Sequence, residues 1–166
     1  MSAAVPLSSL LDARQVWRGR AAPASSGEQP TGWAALDAVL PSGGWPAAAL
    51  SEILLPLDGV GELQLVLPTL ARLSHGARPL VLVTPPYAPC VAGWRQHGVD
   101  MRRVEIVTAA ERDVLWAMEQ CLRSGSCAAV LAWPRQADDR ALRRLPVAAD
   151  RGPALAFALR ARRAPG

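Results

Sequence analysis

Short apolar segments alternate with amphipathic ones along most of this chain, and this alternation restricts the fold more than any other feature. We predict strands at Ser51–Leu55, Pro79–Thr84, 104–107, Ala128–Trp133 and Ala154–Leu159. We predict helices at 33–40, Gly61–Ser74, 89–97, Glu111–Arg123 and Asp138–Ala149. Apolar strands separated by helices are typical of a mostly parallel sheet covered on both faces. With right-handed crossovers, the prediction is a three-layer αβα sandwich of about five strands.

The alternation begins near residue 30, so we divide the chain into an N-terminal helix and linker (1–29), a core domain (30–160) and a basic tail (161–166). In the first part, Leu7, Leu10 and Leu11 share one face of a predicted helix, and Trp17 follows them. A polar linker rich in Pro, Gly and Ser separates this helix from the core. The four side chains are candidates for binding a partner, and a helix folded back on its own domain is the alternative.

The composition indicates one folded domain. The chain has 166 residues, of which 51% are hydrophobic and 19% are charged. No apolar run approaches the roughly 20 residues of a membrane span, and the N-terminus does not resemble a signal peptide. We therefore expect a cytoplasmic protein without a membrane partner. The three cysteines lack metal-binding spacing, so we expect no metal site.

All 18 basic residues are arginine, and the net charge is +4. Arg140, Arg143 and Arg144 lie close together on one predicted helix. They are candidates for a patch that contacts DNA weakly or binds a partner. The alternative is a solvated helix face in a protein whose arginines reflect GC-rich coding.

The turn after the first predicted strand has the layout of a phosphate-binding P-loop without its chemistry. Gly59 and Gly61 precede a helix, where backbone N–H groups favour an anion. However, Glu62 and Leu63 stand where a P-loop has its lysine and its Ser or Thr. A carboxylate repels a polyphosphate. We therefore expect no cofactor, and the alternative interpretation is a tight turn between strand and helix.

The segment from residue 31 to this turn resembles the core entry of the RecA recombinase. The matching residues, in order, are Thr31, Gly32, Leu36, Asp37, Leu40, Gly43, Gly44, Pro46, Glu52 and Ile53. Later stretches, GVDMRRVEIV and LRSGSCAAVLAW, also look like the recombinase. The resemblance implies a RecA-like core with a degenerate P-loop, the Walker A motif.

The resemblance fails at every catalytic position. Trp133 ends the apolar strand where the recombinase has a metal-binding aspartate. Pro85, Pro86 and Tyr87 follow another strand where it has a catalytic glutamate. Phosphoryl transfer depends on such groups for electrostatic stabilisation. We therefore expect a protein that is not an enzyme and has no catalytic residues.

A RecA-like chain without ATP chemistry is similar to the ImuA family. The stretch WRGR at 17–20, the turn GEL at 61–63 and PPY at 85–87 fit this family. The resemblance implies a role in SOS-induced translesion DNA synthesis and regulation of recombination. It also implies binding to RecA, to ImuB and to an error-prone polymerase.

The SulA family of cell division inhibitors, which block assembly of FtsZ, is the alternative. It shares the lysine-free core, with the pattern LLP.L..L, a helix ending LR.G and an apolar strand that closes on tryptophan. Residues 62–133 do not separate the two families. The recombinase-like block at 30–53 favours ImuA, which is our main expectation.

Overall fold

The fold is described from a computed structural model, which covers residues 29–56, 59, 61–135, 139–150 and 152–162. The predicted partner-binding residues Leu7, Leu10, Leu11 and Trp17 lie outside this part, as does the side chain of Arg140.

Every helix and strand predicted within the core is present, with bounds shifted by a few residues. The strands are β1 (Leu50–Leu55), β2 (Leu80–Val83), β3 (Val104–Val107), β4 (Ala129–Ala132) and β5 (Leu155–Ala161). The helices are α1 (Ala34–Asp37), α2 (Glu62–Ser74), α3 (Val91–Gln96), α4 (Val114–Ser124) and α5 (Asp139–Ala149). Short 3₁₀ turns at Met101–Arg103 and Glu111–Asp113 precede β3 and α4.

The five strands form one sheet in the order β1-β5-β4-β2-β3, and every pairing is parallel. The strands β2, β4 and β5 lie inside the sheet, and their side chains are almost all buried. A parallel strand buried on both faces reads as a continuous apolar run. This explains why PLVLVT and AAVLAW were recognisable from the sequence.

Helices cover both faces of the sheet, so the expected three-layer architecture is confirmed. On one face, Leu80 and Leu82 of β2 belong to the same apolar cluster as Leu70 of α2 and Trp94 of α3. On the other face, a second cluster joins the alternate residues of β2 to α4 and α5. Successive side chains of a strand point to opposite faces, which divides the core into these two clusters.

Residues 29–46, which we call the strap, lie across α2. Gln29 and Trp45 form an isolated antiparallel β-bridge. The Trp45 Nε1 donates a hydrogen bond of 3.0 Å to the Thr69 hydroxyl of α2. That hydroxyl also lies 3.1 Å from the carbonyl oxygens of Pro30 and Thr31. The Trp45 ring packs edge-on against a buried ring of β5, that of Phe157, with centroids 5.0 Å apart. The strap is therefore a fixed part of the core.

Candidate functional site

The chain leaves neighbouring strands β2 and β4 towards opposite faces of the sheet. After β2 it enters α3, which packs on the face that carries α2. After β4 it enters α5, which packs on the opposite face. The two loops therefore separate at the carboxyl ends of these strands. In open α/β sheets, ligands bind in the crevice formed at such a point.

A cavity of about 180 Å³ occupies this position, and we call it the Glu62 cavity. It lies between the start of α2 and the loop that follows β2. Its walls are mostly apolar, and the lining residues are Glu62, Leu63, Leu82, Pro85, Pro86, Tyr87, Ala88, Pro89, Cys90, Trp94 and Trp133. Three of the eight aromatic residues of the chain are in this set. Glu62 is its one charged member.

Two polar atoms of this lining are buried without a hydrogen-bond partner among the described residues. They are the Oε2 of Glu62 and the Nε1 of Trp133. Trp133 is only 6% exposed, so its N–H is shielded from solvent. A buried polar group without a partner costs about 1–3 kcal/mol, and more if it is charged. The residues that carry this acceptor and this donor both line the cavity, which distinguishes it from ordinary core packing.

A second, more polar cavity of about 330 Å³ shares Pro85, Pro86 and Trp133 with the first. Its other lining residues include Glu111, Arg135 and Arg160. The Arg135 backbone N–H donates to the Glu111 carboxylate at 2.8 Å. The Arg160 side chain forms an ion pair of 2.6 Å with a carboxylate of β1, that of Glu52. Glu111 and Arg160 of this cavity therefore each have a polar partner among the described residues.

Backbone geometry accounts for the glycines of the turn before α2. Gly59 has φ +80° and Gly61, the N-cap of α2, has φ +90°. Residues with a Cβ rarely adopt these conformations. Glu62 then occupies the first helical position, where its negative charge is favourable for the helix dipole. The turn therefore needs its glycines whether or not an anion binds.

Of the three predicted patch arginines, Arg143 and Arg144 lie on α5 and are exposed. Arg144 lies 3.6 Å from the buried carboxylate of Glu119 on α4. Arg123 approaches the same carboxylate at 2.9 Å. Arg144 therefore helps to join α4 to α5.

Three groups outside the crevice, all in the described part of the chain, have shifted pKa values: Asp100, Arg102, whose pKa is raised by its hydrogen bond to Asp100, and Cys121. Hydrogen bonds from the side chain and backbone of Arg102 lower the pKa of Asp100 to about 2, from 3.8. Burial raises the pKa of the Cys121 thiol, and the neighbouring Cys127 thiol raises it further. In the described part of the chain, no cluster of three or more His, Cys, Asp or Glu residues is suited to a metal ion. No helix found there has the length and apolar character needed to cross a membrane.

Comparison with known proteins identifies the family. The sequence model of the family "Cell division inhibitor SulA" matches residues 49–156, which is more than half of the chain. The protein therefore belongs to the SulA family. The crystal structure of SulA from Pseudomonas aeruginosa is similar at 30% identity and a TM-score of 0.56. That similarity covers 70% of this chain and 100% of the other. No curated protein sequence matches the chain.

These findings support our alternative and overturn several expectations. The roles in translesion synthesis and recombination are wrong, as are the partners RecA, ImuB and an error-prone polymerase. The weak contact with DNA stays a prediction. The interpretation of the turn at Gly59–Leu63 as a degenerate Walker A motif is also wrong. The fold is a mixed α/β fold of the SulA type with a five-stranded parallel sheet, and a RecA-like P-loop core is not confirmed.

The misleading block at 30–53 has a structural explanation. Gly32 has φ +87°, and a Cβ there would collide with Pro68 of α2. At Gly44, a Cβ would collide with the carbonyl oxygen of Gln29. The Thr31 backbone N–H donates to the carboxylate of Asp37 at 2.9 Å. These residues shape the strap and pack it against α2, so their pattern does not require a recombinase.

In the sequence alone, the crevice residues Pro85, Pro86, Tyr87 and Trp133 indicate only that the catalytic groups of a recombinase are missing. Tyr87 and Trp133 come shortly after the ends of β2 and β4, and those strands are neighbours in a parallel sheet. The carboxyl ends of parallel strands share one edge of the sheet. Had the strand order been known, this rule would have placed Pro85, Pro86, Tyr87 and Trp133 together.

Proposed function

We propose that this protein is a cell division inhibitor that binds FtsZ and blocks its assembly. Membership of the SulA family carries the proposal, because the matched segment runs from the residue before β1 to the first two residues of β5. The 30% identity to a SulA of known structure, over the whole of that chain, supports it further. The protein would act in the cytoplasm during the SOS response.

We also propose that inhibition is by binding and not by catalysis. The crevice presents Glu62, prolines and aromatic side chains, which cannot stabilise the charge that develops on a transferred phosphoryl group. The purified protein should therefore release no phosphate from ATP or GTP when incubated alone. Nucleotide hydrolysis that copurifies with the protein and is lost in a Trp133→Ala variant would contradict this.

The decisive experiment mixes the purified protein with FtsZ and GTP. Light scattering measures polymerisation, and phosphate release measures the GTPase activity of FtsZ. We expect both to fall as the inhibitor approaches the concentration of FtsZ, because a binding inhibitor acts by occupying subunits. A matched control is the Phe157→Asp variant, since a charge at this fully buried position disrupts the core. Unchanged polymerisation in excess protein would refute the proposed function.

A further inference from the structure

We propose that the Glu62 cavity binds an arginine side chain presented by a partner polypeptide. Its buried unpaired acceptor, its buried unpaired donor and its aromatic walls together define this ligand. The inference does not rest on the identity of the partner, and it is testable without FtsZ.

The charge of the cavity requires a cation. Glu62 is its one charged lining residue, and the Oε2 of its carboxylate has no partner among the described residues. A cationic donor would satisfy this oxygen with a charge-assisted hydrogen bond, which is stronger than a neutral one. An anionic ligand would be repelled at the same position.

The walls favour a guanidinium group over an ammonium group. Tyr87, Trp94 and Trp133 line the cavity together with prolines and Leu63. A guanidinium is planar, stacks on aromatic faces and is weakly hydrated, so it enters an apolar cavity more readily than a lysine ammonium does. The methylene stem of arginine suits the remaining apolar lining.

The size and the second unpaired atom indicate a polypeptide ligand. At about 180 Å³, the cavity is smaller than the roughly 300–1,000 Å³ of pockets for drug-sized molecules. It accommodates one long side chain. The Nε1–H of Trp133 has no acceptor among the described residues, and we expect the main-chain carbonyl of the inserted residue to supply one.

The test uses the full chain labelled with ¹⁵N and the probe Nα-acetyl-L-arginine methylamide. The indole N–H signal of Trp133 is assigned from its absence in the Trp133→Phe variant. We expect the probe to shift this signal with an affinity on the order of millimolar, as suits a single side chain. The corresponding citrulline amide has the same shape without the charge, and it should bind at least about tenfold more weakly.

The variant Glu62→Gln should weaken binding of the probe by a similar factor. Its matched control is Glu105→Gln, which changes an exposed carboxylate of β3 outside the cavity and should leave binding unchanged. Circular dichroism shows whether Glu62→Gln folds. If it does not, the comparison of the arginine and citrulline amides in the unchanged protein tests whether the cavity needs a cationic ligand.

Three results would overturn the inference. The first is no shift of the Trp133 signal at saturating probe, which would mean that only water enters the cavity. The second is equal binding of the arginine and citrulline amides. The third is much tighter binding of free L-arginine than of the blocked amide, which would indicate a metabolite site in place of a polypeptide site.

Discussion

Two carboxylates in this molecule have opposite surroundings. Glu119 is 5% exposed, yet Arg123 and Arg144 both reach its oxygens. Glu62 also has a buried oxygen, but no described residue pairs with it. A buried charge is tolerated when it is paired, and an unpaired one is costly. At the scale of single residues, Glu119 therefore joins α4 to α5, whereas Glu62 identifies the Glu62 cavity as a candidate binding site.

Asp100 provides a test of the electrostatics. Because Arg102 lowers its pKa to about 2, the carboxylate stabilises the fold above its unfolded-state pKa of 3.8. That contribution is lost as the pH falls through about 2. An NMR titration of the Asp100 carboxyl should show a midpoint near 2, and Arg102→Ala should move it towards 3.8. A midpoint near 3.8 in the unchanged protein would contradict the Arg102 contact.

The glycine before α2 makes a second prediction. Gly61→Ala should lower the free energy of unfolding by about 1–2 kcal/mol, because Gly61 has φ +90°. Gly93 in α3 is the matched control, since a Cβ there would make only an ordinary contact of 3.5 Å with Cys90. Gly93→Ala should therefore raise stability by about 0.5–1 kcal/mol. Urea unfolding measures the free energy of unfolding of both variants. Equal changes in the two variants would show that the positive φ of Gly61 is unimportant.

At the scale of elements, one hydroxyl of α2 joins three groups of the strap. Thr69→Val keeps the shape of the side chain but leaves the Trp45 N–H and two carbonyl oxygens of the strap without their shared partner. We expect a loss of about 1–3 kcal/mol in unfolding free energy. The exposed Thr108 is the control, and Thr108→Val should have little effect. If Thr69→Val leaves the free energy of unfolding unchanged, water has taken the place of the hydroxyl.

The elements could be predicted from the sequence, whereas their arrangement could not. Buried runs such as Leu80–Val83 are apolar throughout, and this local property is visible in a single sequence. The order of the strands is set by long-range pairings, for example Leu50 with Ala156. The strap glycines at 32 and 44 follow from contacts with Pro68 and Gln29. These contacts are not visible in the sequence alone, where the same glycines indicate a resemblance to a recombinase.

At the scale of the whole molecule, the crevice is assembled from distant parts of the chain. Glu62 comes from the start of α2, Tyr87 from the loop after β2 and Trp133 from the loop after β4. The sheet brings these segments together only when β2 and β4 are neighbours. For this reason the sequence alone does not indicate that these residues line one cavity.

The N-terminal segment can be tested as a partner surface in the FtsZ assay. The family match begins at residue 49, after the predicted helix that carries Leu10 and Leu11. We therefore expect the double variant Leu10→Arg and Leu11→Arg to inhibit FtsZ polymerisation as strongly as the unchanged protein. A loss of inhibition in a variant with unchanged circular dichroism would place this segment in the interface.

The position of β5 has a consequence for how the protein is made. The strand lies between β1 and β4, so β1 has no neighbour in the sheet until β5 arrives. Leu50 pairs with Ala156, and such distant contacts form slowly because a long loop must close first. During synthesis, β1 therefore stays without a paired strand until β5 has left the exit tunnel of the ribosome. Folding of the sheet is completed only when β5 is available, and the nascent chain exposes the unpaired edge of the sheet to chaperones and proteases until then.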